Sequence, residues 1–189
     1  MGVRARRWMM SRVVRFFVCA TYNGCRIHRS VHIEGGGEIR ATDGGSIHIA
    51  AGCTIGRGSR IVAKRGVVNI QQDTFIGPNC VLVANEMIVI GKNGLIAEQV
   101  TIRDQDHGLC VGDTPFNRQQ MTVSPVSIGS NVWLGAKSTV LRGVTIGDNS
   151  VIAAHALVRD DVREGTLAAG VPARVIRSLE RDEAGSRDT

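Results

Sequence analysis

Aliphatic residues return every sixth position along most of this chain. Ile49, Ile55, Ile61 and Val67 make a first set. Ile70, Ile76, Leu82 and Ile88 make a second, and Ile90, Ile96 and Ile102 a third. The longest runs through Ile128, Leu134, Val140, Ile146, Ile152 and Val158. The next position is usually Gly or Ala (Gly56, Gly77, Gly91, Ala97, Gly129, Gly135, Gly147, Ala153). Four positions on, small or β-branched residues recur, such as Cys53, Ser59, Thr74, Cys80, Val100, Ser138 and Ser150. A helix repeats at 3.6 and a strand at 2, so neither accounts for six. A solenoid does: each short strand points one aliphatic inward beside a small residue, and three strands close one triangular coil. Cys53 and Cys80 fall at the small inward position and are expected in the core.

Two stretches stand outside the repeat. After Ile102 the next aliphatic in register is Ile128, so residues 103–127 are expected to leave the solenoid as a loop. Asp104, Asp106, His107, Phe116, Arg118 and Pro125 lie in it. A loop of that length in a compact domain is commonly functional. Residues 3–20 suit an amphipathic helix, with Met9, Val13, Phe16, Phe17 and Ala20 on one face and Arg7, Ser11 and Arg15 on another. That helix either caps the open end of the solenoid or lies on an anionic membrane surface. The resulting division is a basic segment 1–30, a solenoid 31–177 and a polar tail 178–189.

Composition agrees with an all-β interior. The 189 residues are 43% hydrophobic and 21% charged, with 23 Gly and only 4% aromatics. The formal net charge of +6 is concentrated: residues 1–33 hold seven Arg and no carboxylate, and the rest is close to neutral. The body therefore has no call for nucleic acid as a partner; the charge belongs to the N-terminal segment. Five Cys with no C-x-x-C pair argue against a disulfide framework or a zinc site and suit a reducing compartment. No apolar run reaches the roughly 20 residues needed to cross a bilayer.

The candidate chemistry centres on His107. Transfer of an acyl group from a thioester to a hydroxyl needs a base that works near neutral pH, and imidazole is suited to it. The surrounding order is specific. Residues 102–109 read Ile-Arg-Asp-Gln-Asp-His-Gly-Leu. Pro125-Val-Ser-Ile-Gly-Ser-Asn-Val-Trp-Leu-Gly135 follows, then Gly143-Val-Thr-Ile-Gly-Asp-Asn149 and Ala169-Gly-Val-Pro-Ala-Arg-Val-Ile-Arg177. This order resembles the maltose and galactoside acetyltransferase branch of the hexapeptide-repeat family, polysaccharide O-acetyltransferases included.

The resemblance implies a left-handed parallel β-helix with an extruded loop and short N- and C-terminal helical segments. It implies transfer of an acetyl group from acetyl-CoA to a hydroxyl of a sugar or polysaccharide precursor, with His107 as the catalytic base and no metal. Asn85 is placed beside the acceptor. Asp106 either joins it and steadies His107 or, like Asp104, only shapes the loop. Coenzyme A contacts are carried over to Trp133, Gly135, Ala136 and Ala154, and to Arg159, Arg174 and Arg177 near the phosphates. Family sites lie between the subunits of a homotrimer. The expected location is the cytoplasm, at the inner face of the membrane if the N-terminal segment binds lipid. The chain departs from the pattern in carrying Arg159-Asp160 where relatives have Thr-Lys, and in His155, read as an outward corner residue. N-acyl transfer to an amino sugar, serine O-acetylation and a non-catalytic scaffold remain as alternatives on the same fold.

Overall fold

The computed structural model describes residues 13–179. They form a parallel β-solenoid with three faces. The first face stacks Cys25–Ile27, Ser46–Ile49, Val67–Ile70, Met87–Ile90, Val126–Ile128 and Thr145–Ile146. The second runs from His32–Ile33 through Thr54–Ile55, Phe75–Ile76, Leu95–Ile96, Trp133–Leu134 and Val151–Ile152 to Thr166–Gly170. The third stacks Glu38–Thr42, Arg60–Lys64, Val81–Ala84, Thr101–Arg103, Thr139–Val140 and Leu157–Val158. Each coil contributes one strand to each face, so the six-stranded first and third faces count six coils.

The sixfold repeat and the coil are the same thing. Of the aliphatics in register, all but one are buried, from Ile49 to Val158. The exception is Val67. Its neighbour Val68 fills the core position while Val67 lies half-exposed in register with Met87. The corner at Arg65–Gly66 is longer than the repeat allows, and one extra residue in extended chain swaps the two faces of a strand. The small positions are buried throughout, Cys53 and Cys80 among them. Their hydroxyls and thiols close the corners: Ser59 Oγ donates to the Gly77 carbonyl at 2.8 Å and Cys80 Sγ to the Ala97 carbonyl at 3.0 Å. Burial pushes the Cys80 thiol up to about 11.

Corners turn through left-handed backbone. Along one edge Gly58, Asn79, Gln99, Lys137 and His155 stack with φ between 57° and 72°. Glycine and asparagine take this conformation at least cost; Lys137 and His155 adopt it because the coil leaves no other path. His155 is thus an exposed corner residue, as expected. Arg65, with φ 65°, is a corner residue of the same kind on another edge.

Both ends of the solenoid differ from expectation. The helix, described over 13–21, packs Val14, Val18 and Cys19 against the core, followed by Tyr22. The face built from Val13, Phe16 and Phe17 turns outward, with Phe16 70% and Phe17 62% exposed. Both faces carry apolar residues at helical spacing, and the smaller, β-branched pair fits the narrow end of the coil. Met9, Arg7 and Ser11 lie outside the described residues. Arg15 reaches back to the Arg29 carbonyl. At the other end no helix forms within the described residues: Ala173–Ser178 folds back antiparallel on Thr166–Gly170 and closes the second face. Residues 180–189 lie outside the described residues.

Candidate active site

The excursion predicted at 103–127 leaves the edge where the third face meets the first, between Arg103 and Val126. It is not structureless. Gln105–Asp106 pairs antiparallel with Thr122–Val123, and a 3-10 turn covers Phe116–Arg118. Gln119 braces the interior of the loop: its Oε1 accepts from the Cys110 amide at 3.0 Å, and its Nε2 donates to the carbonyls of Cys110 and Thr114 at 2.7 and 2.8 Å.

The root of the loop is tied to the coils on both sides. Asp104 is fully buried, and its carboxylate accepts the backbone N–H of Asn85, Glu86 and Met87, on the same edge one coil earlier. Asp106, two residues on, is exposed and forms an ion pair with Arg142, on the same edge one coil later, at 2.7 Å. Ser124 knits the return strand in: its amide donates to the Asp104 carbonyl at 2.8 Å, and its carbonyl accepts from Gly143 at 3.0 Å. His107 follows directly and is exposed. Among the described residues no side chain hydrogen-bonds its imidazole; the two carboxylates of the Asp-Gln-Asp-His stretch are taken up by backbone amides and by Arg142. Asn85 sits beside the root, its side-chain amide 3.4 Å from the sulfur of Met121.

The residues expected to contact coenzyme A lie elsewhere on the prism. Trp133 stands outward on the second face, 48% exposed. Gly135, Ala136 and Ala154 line the edge between the second and third faces. A Cβ on Gly135 would come within 2.5 Å of the Ala154 nitrogen, so stacking of the two coils alone requires glycine there. At the last coil Asp160 gathers two of the predicted arginines: Arg174 Nη1 lies 2.9 Å and Arg159 Nε 3.4 Å from the same carboxylate oxygen. All three side chains are more than half exposed, so the pairing contributes little stability but holds two guanidinium groups side by side. Arg177 lies opposite Leu167 in the terminal hairpin. Within one chain, the His107 edge and the Gly135–Ala154 edge are therefore separated by the third face.

Residues 125–160 match the family described as "Bacterial transferase hexapeptide (six repeats)". A protein of Escherichia coli K12 named for lipopolysaccharide-biosynthesis O-acetyl transfer, WbbJ, is 32% identical over 169 residues, covering 85% of this chain and 83% of its own. This chain belongs to the hexapeptide-repeat acetyltransferases. The galactoside O-acetyltransferase of the same organism is 38% identical over 117 residues, and there the match spans 61% of this chain and 57% of the relative. A solved galactoside acetyltransferase in complex with coenzyme A superposes with TM-score 0.55 at 26% identity, covering 92% of this chain and 82% of that one. The acetyltransferase is thus of the O-acetyltransferase type.

For an acetyltransferase of this fold, the structure adds three residues that the sequence pattern did not single out. Arg142 pairs with Asp106 at the loop root and Met121, within the loop, reaches Asn85, each across 36 residues, and Gln119 holds the loop from within. Arg142 occupies a corner turn, Leu-Arg-Gly, indistinguishable in sequence from any solvated arginine. Asp104, read as a turn former, instead satisfies three backbone donors.

Proposed function

We propose that this acetyltransferase moves an acetyl group from acetyl-CoA to a hydroxyl of a sugar or polysaccharide precursor, with His107 as general base. The observation that supports it best is the anchoring of His107. An exposed imidazole follows directly on a stretch bonded to both neighbouring coils, beside the corner that carries Asn85. Catalytic bases act from positions fixed in advance, because geometry lost in the ground state must be regained at the barrier.

In this reading Asn85 holds the acceptor, and Nε2 or Nδ1 of His107 takes the hydroxyl proton as the oxygen attacks the thioester carbonyl. The C–S bond then breaks, the acetyl group is left on the acceptor oxygen, and the imidazolium returns its proton to the departing thiolate. The Arg159–Arg174 pair at Asp160 suits the phosphates of coenzyme A, with Arg177 nearby, and Trp133 with Gly135, Ala136 and Ala154 lines the path of its pantetheine arm. Those residues and His107 occupy different edges of one prism, so a complete site requires a second copy. A homotrimer with sites between subunits provides that. The exposed stack of Phe75, Leu95 and Trp133, on adjacent strands of the second face, is the surface best fitted to such packing.

In this reading the enzyme works in the cytoplasm, and the outward Phe16–Phe17 face within an arginine-rich, acid-free segment suits contact with the anionic inner face of a membrane. Among the described residues no helix is long and apolar enough to cross one.

Calorimetry with acetyl-CoA alone tests the reading. Binding in the micromolar to sub-millimolar range, weakened by Arg174→Ala and unchanged by His107→Ala, is expected. Turnover of His107→Ala on an accepted sugar should fall roughly 10²–10⁴-fold. Absence of binding heat at several temperatures, or full turnover by His107→Ala, overturns it.

A further inference from the structure

Along this edge corner N–H groups donate to carbonyls of the adjoining coils, Arg65 back to Thr42 at 3.1 Å and the strand-opening residues forward. Here Ser46 donates to Gly66 and Val67 to Glu86, both at 2.9 Å. The corner at 85–87 has no such neighbour, because the next coil leaves the edge at Asp104 to form the loop. Three amides face that gap without a backbone carbonyl to receive them, a costly omission wherever water is kept out. The Asp104 carboxylate fills it. Its Oδ2 lies 2.7 Å from the Glu86 nitrogen, 2.8 Å from Met87 and 3.0 Å from Asn85, and its Oδ1 lies 2.8 Å from Asn85. A fully buried carboxylate is tolerable only with donors of this number and quality.

We infer that Asp104 is a positioning residue for the acceptor: it replaces the missing coil at the 85–87 corner and so fixes Asn85 relative to His107, three residues after it. The inference rests on the reading of Asn85 as the acceptor contact. The route from acceptor residue to base is short: the backbone of Asn85 is bonded to the side chain of Asp104, whose own backbone continues into Gln105, Asp106 and His107. Met121 closes over the amide of Asn85 from the return strand, so the corner is held from both sides.

The test compares Asp104→Asn, Asn85→Ala and the double variant, using the member of a panel of hexosides that the parent acetylates fastest. Asparagine keeps the shape but offers one oxygen where two were used, and turns an N–H donor toward N–H donors. Asp104→Asn is expected to raise the acceptor KM about tenfold with the Kd for acetyl-CoA unchanged. In the Asn85→Ala background the same change should have less than about a twofold effect, since the residue it acts through is gone. A general loss of structure would instead raise both constants and persist in that background, and that result overturns the inference. Should Asp104→Asn not fold, Asp104→Glu retains the charge, displaces it by one methylene and should give the same split. If the parent acetylates no hexoside in the panel, the proposed activity fails, and the positioning role is judged separately by hydrogen exchange. Amides of 85–87 should then exchange at least about tenfold faster in Asp104→Asn with those of 126–128 unaltered; equal exchange overturns it.

Discussion

Arg142 Nε lies 2.7 Å from Asp106 Oδ2, and the residue after Asp106 is His107. The ion pair joins the loop to the coil that follows it, across 36 residues of sequence. Both partners are partly exposed, at 39% and 49%, so its worth as stability is small, under about 1 kcal/mol. Its worth to the site is geometric. Arg142→Gln should leave the melting temperature within about 2–4 °C of the parent, while lowering kcat for acetyl transfer about three- to tenfold. Steady-state kinetics beside a melting curve separate the two effects. An unchanged kcat removes Arg142 from the support of His107.

The second-face stack should govern assembly. Phe75, Leu95 and Trp133 stand in register on neighbouring strands and all are exposed in the single chain. Leu95→Glu puts a charge at the centre of that stack without touching the core. Light scattering should give the parent three times the 20.3 kDa chain mass and shift the variant toward the monomer. A monomeric parent refutes the shared-site arrangement.

Phe16 and Phe17 should govern membrane contact. Replacing both by Ser removes the outward apolar face and leaves Val14 and Val18 in place against the core. Co-sedimentation with vesicles containing phosphatidylglycerol should fall at least about tenfold, with no change in melting temperature. Equal binding by the variant, or no binding by the parent, rules out this surface.

Buried thiols set a limit at high pH. Burial raises Cys80, and likewise Cys25, from an ordinary 9.0 to about 11. Between those values the unfolded chain has lost thiol protons that the folded chain retains. Stability is therefore full below about pH 9 and declines as pH rises toward 11. Urea unfolding across pH 8–11 should show the decline, and Cys80→Ala should flatten it. A slope identical in the two proteins places its origin in other groups.

The fold was legible because its period is unlike that of any other element: Ile128 to Val158 mark six strands with no structural knowledge. Where legibility failed, two patterns overlapped. At Val67–Val68 adjacent β-branched residues left the inward position open, and only the longer corner at Arg65–Gly66 decides it. In the helix, Val14 and Val18 are spaced for burial as well as Val13, Phe16 and Phe17 are, and size alone misled. Of the candidate site, residue types were legible and partners were not. Nothing in Asp-Gln-Asp-His says that its first carboxylate accepts backbone amides 17 to 19 residues upstream and its second an arginine beyond the loop. The separation of His107 from Gly135 and Ala154 onto different edges depends on which face each strand joins, which a period of six does not number.

The strand Ala173–Ser178 runs against the direction of every other strand on its face. A stack of like coils is a template for its own extension, since the last coil offers a next one the same ladder it was given. Another molecule's first coil, arriving in the same orientation, would find on this face a strand of opposite polarity, turned outward and out of step with the repeat. On this face, then, direction sets a limit: the last described strand is one that a further coil of the same polarity could not continue in register.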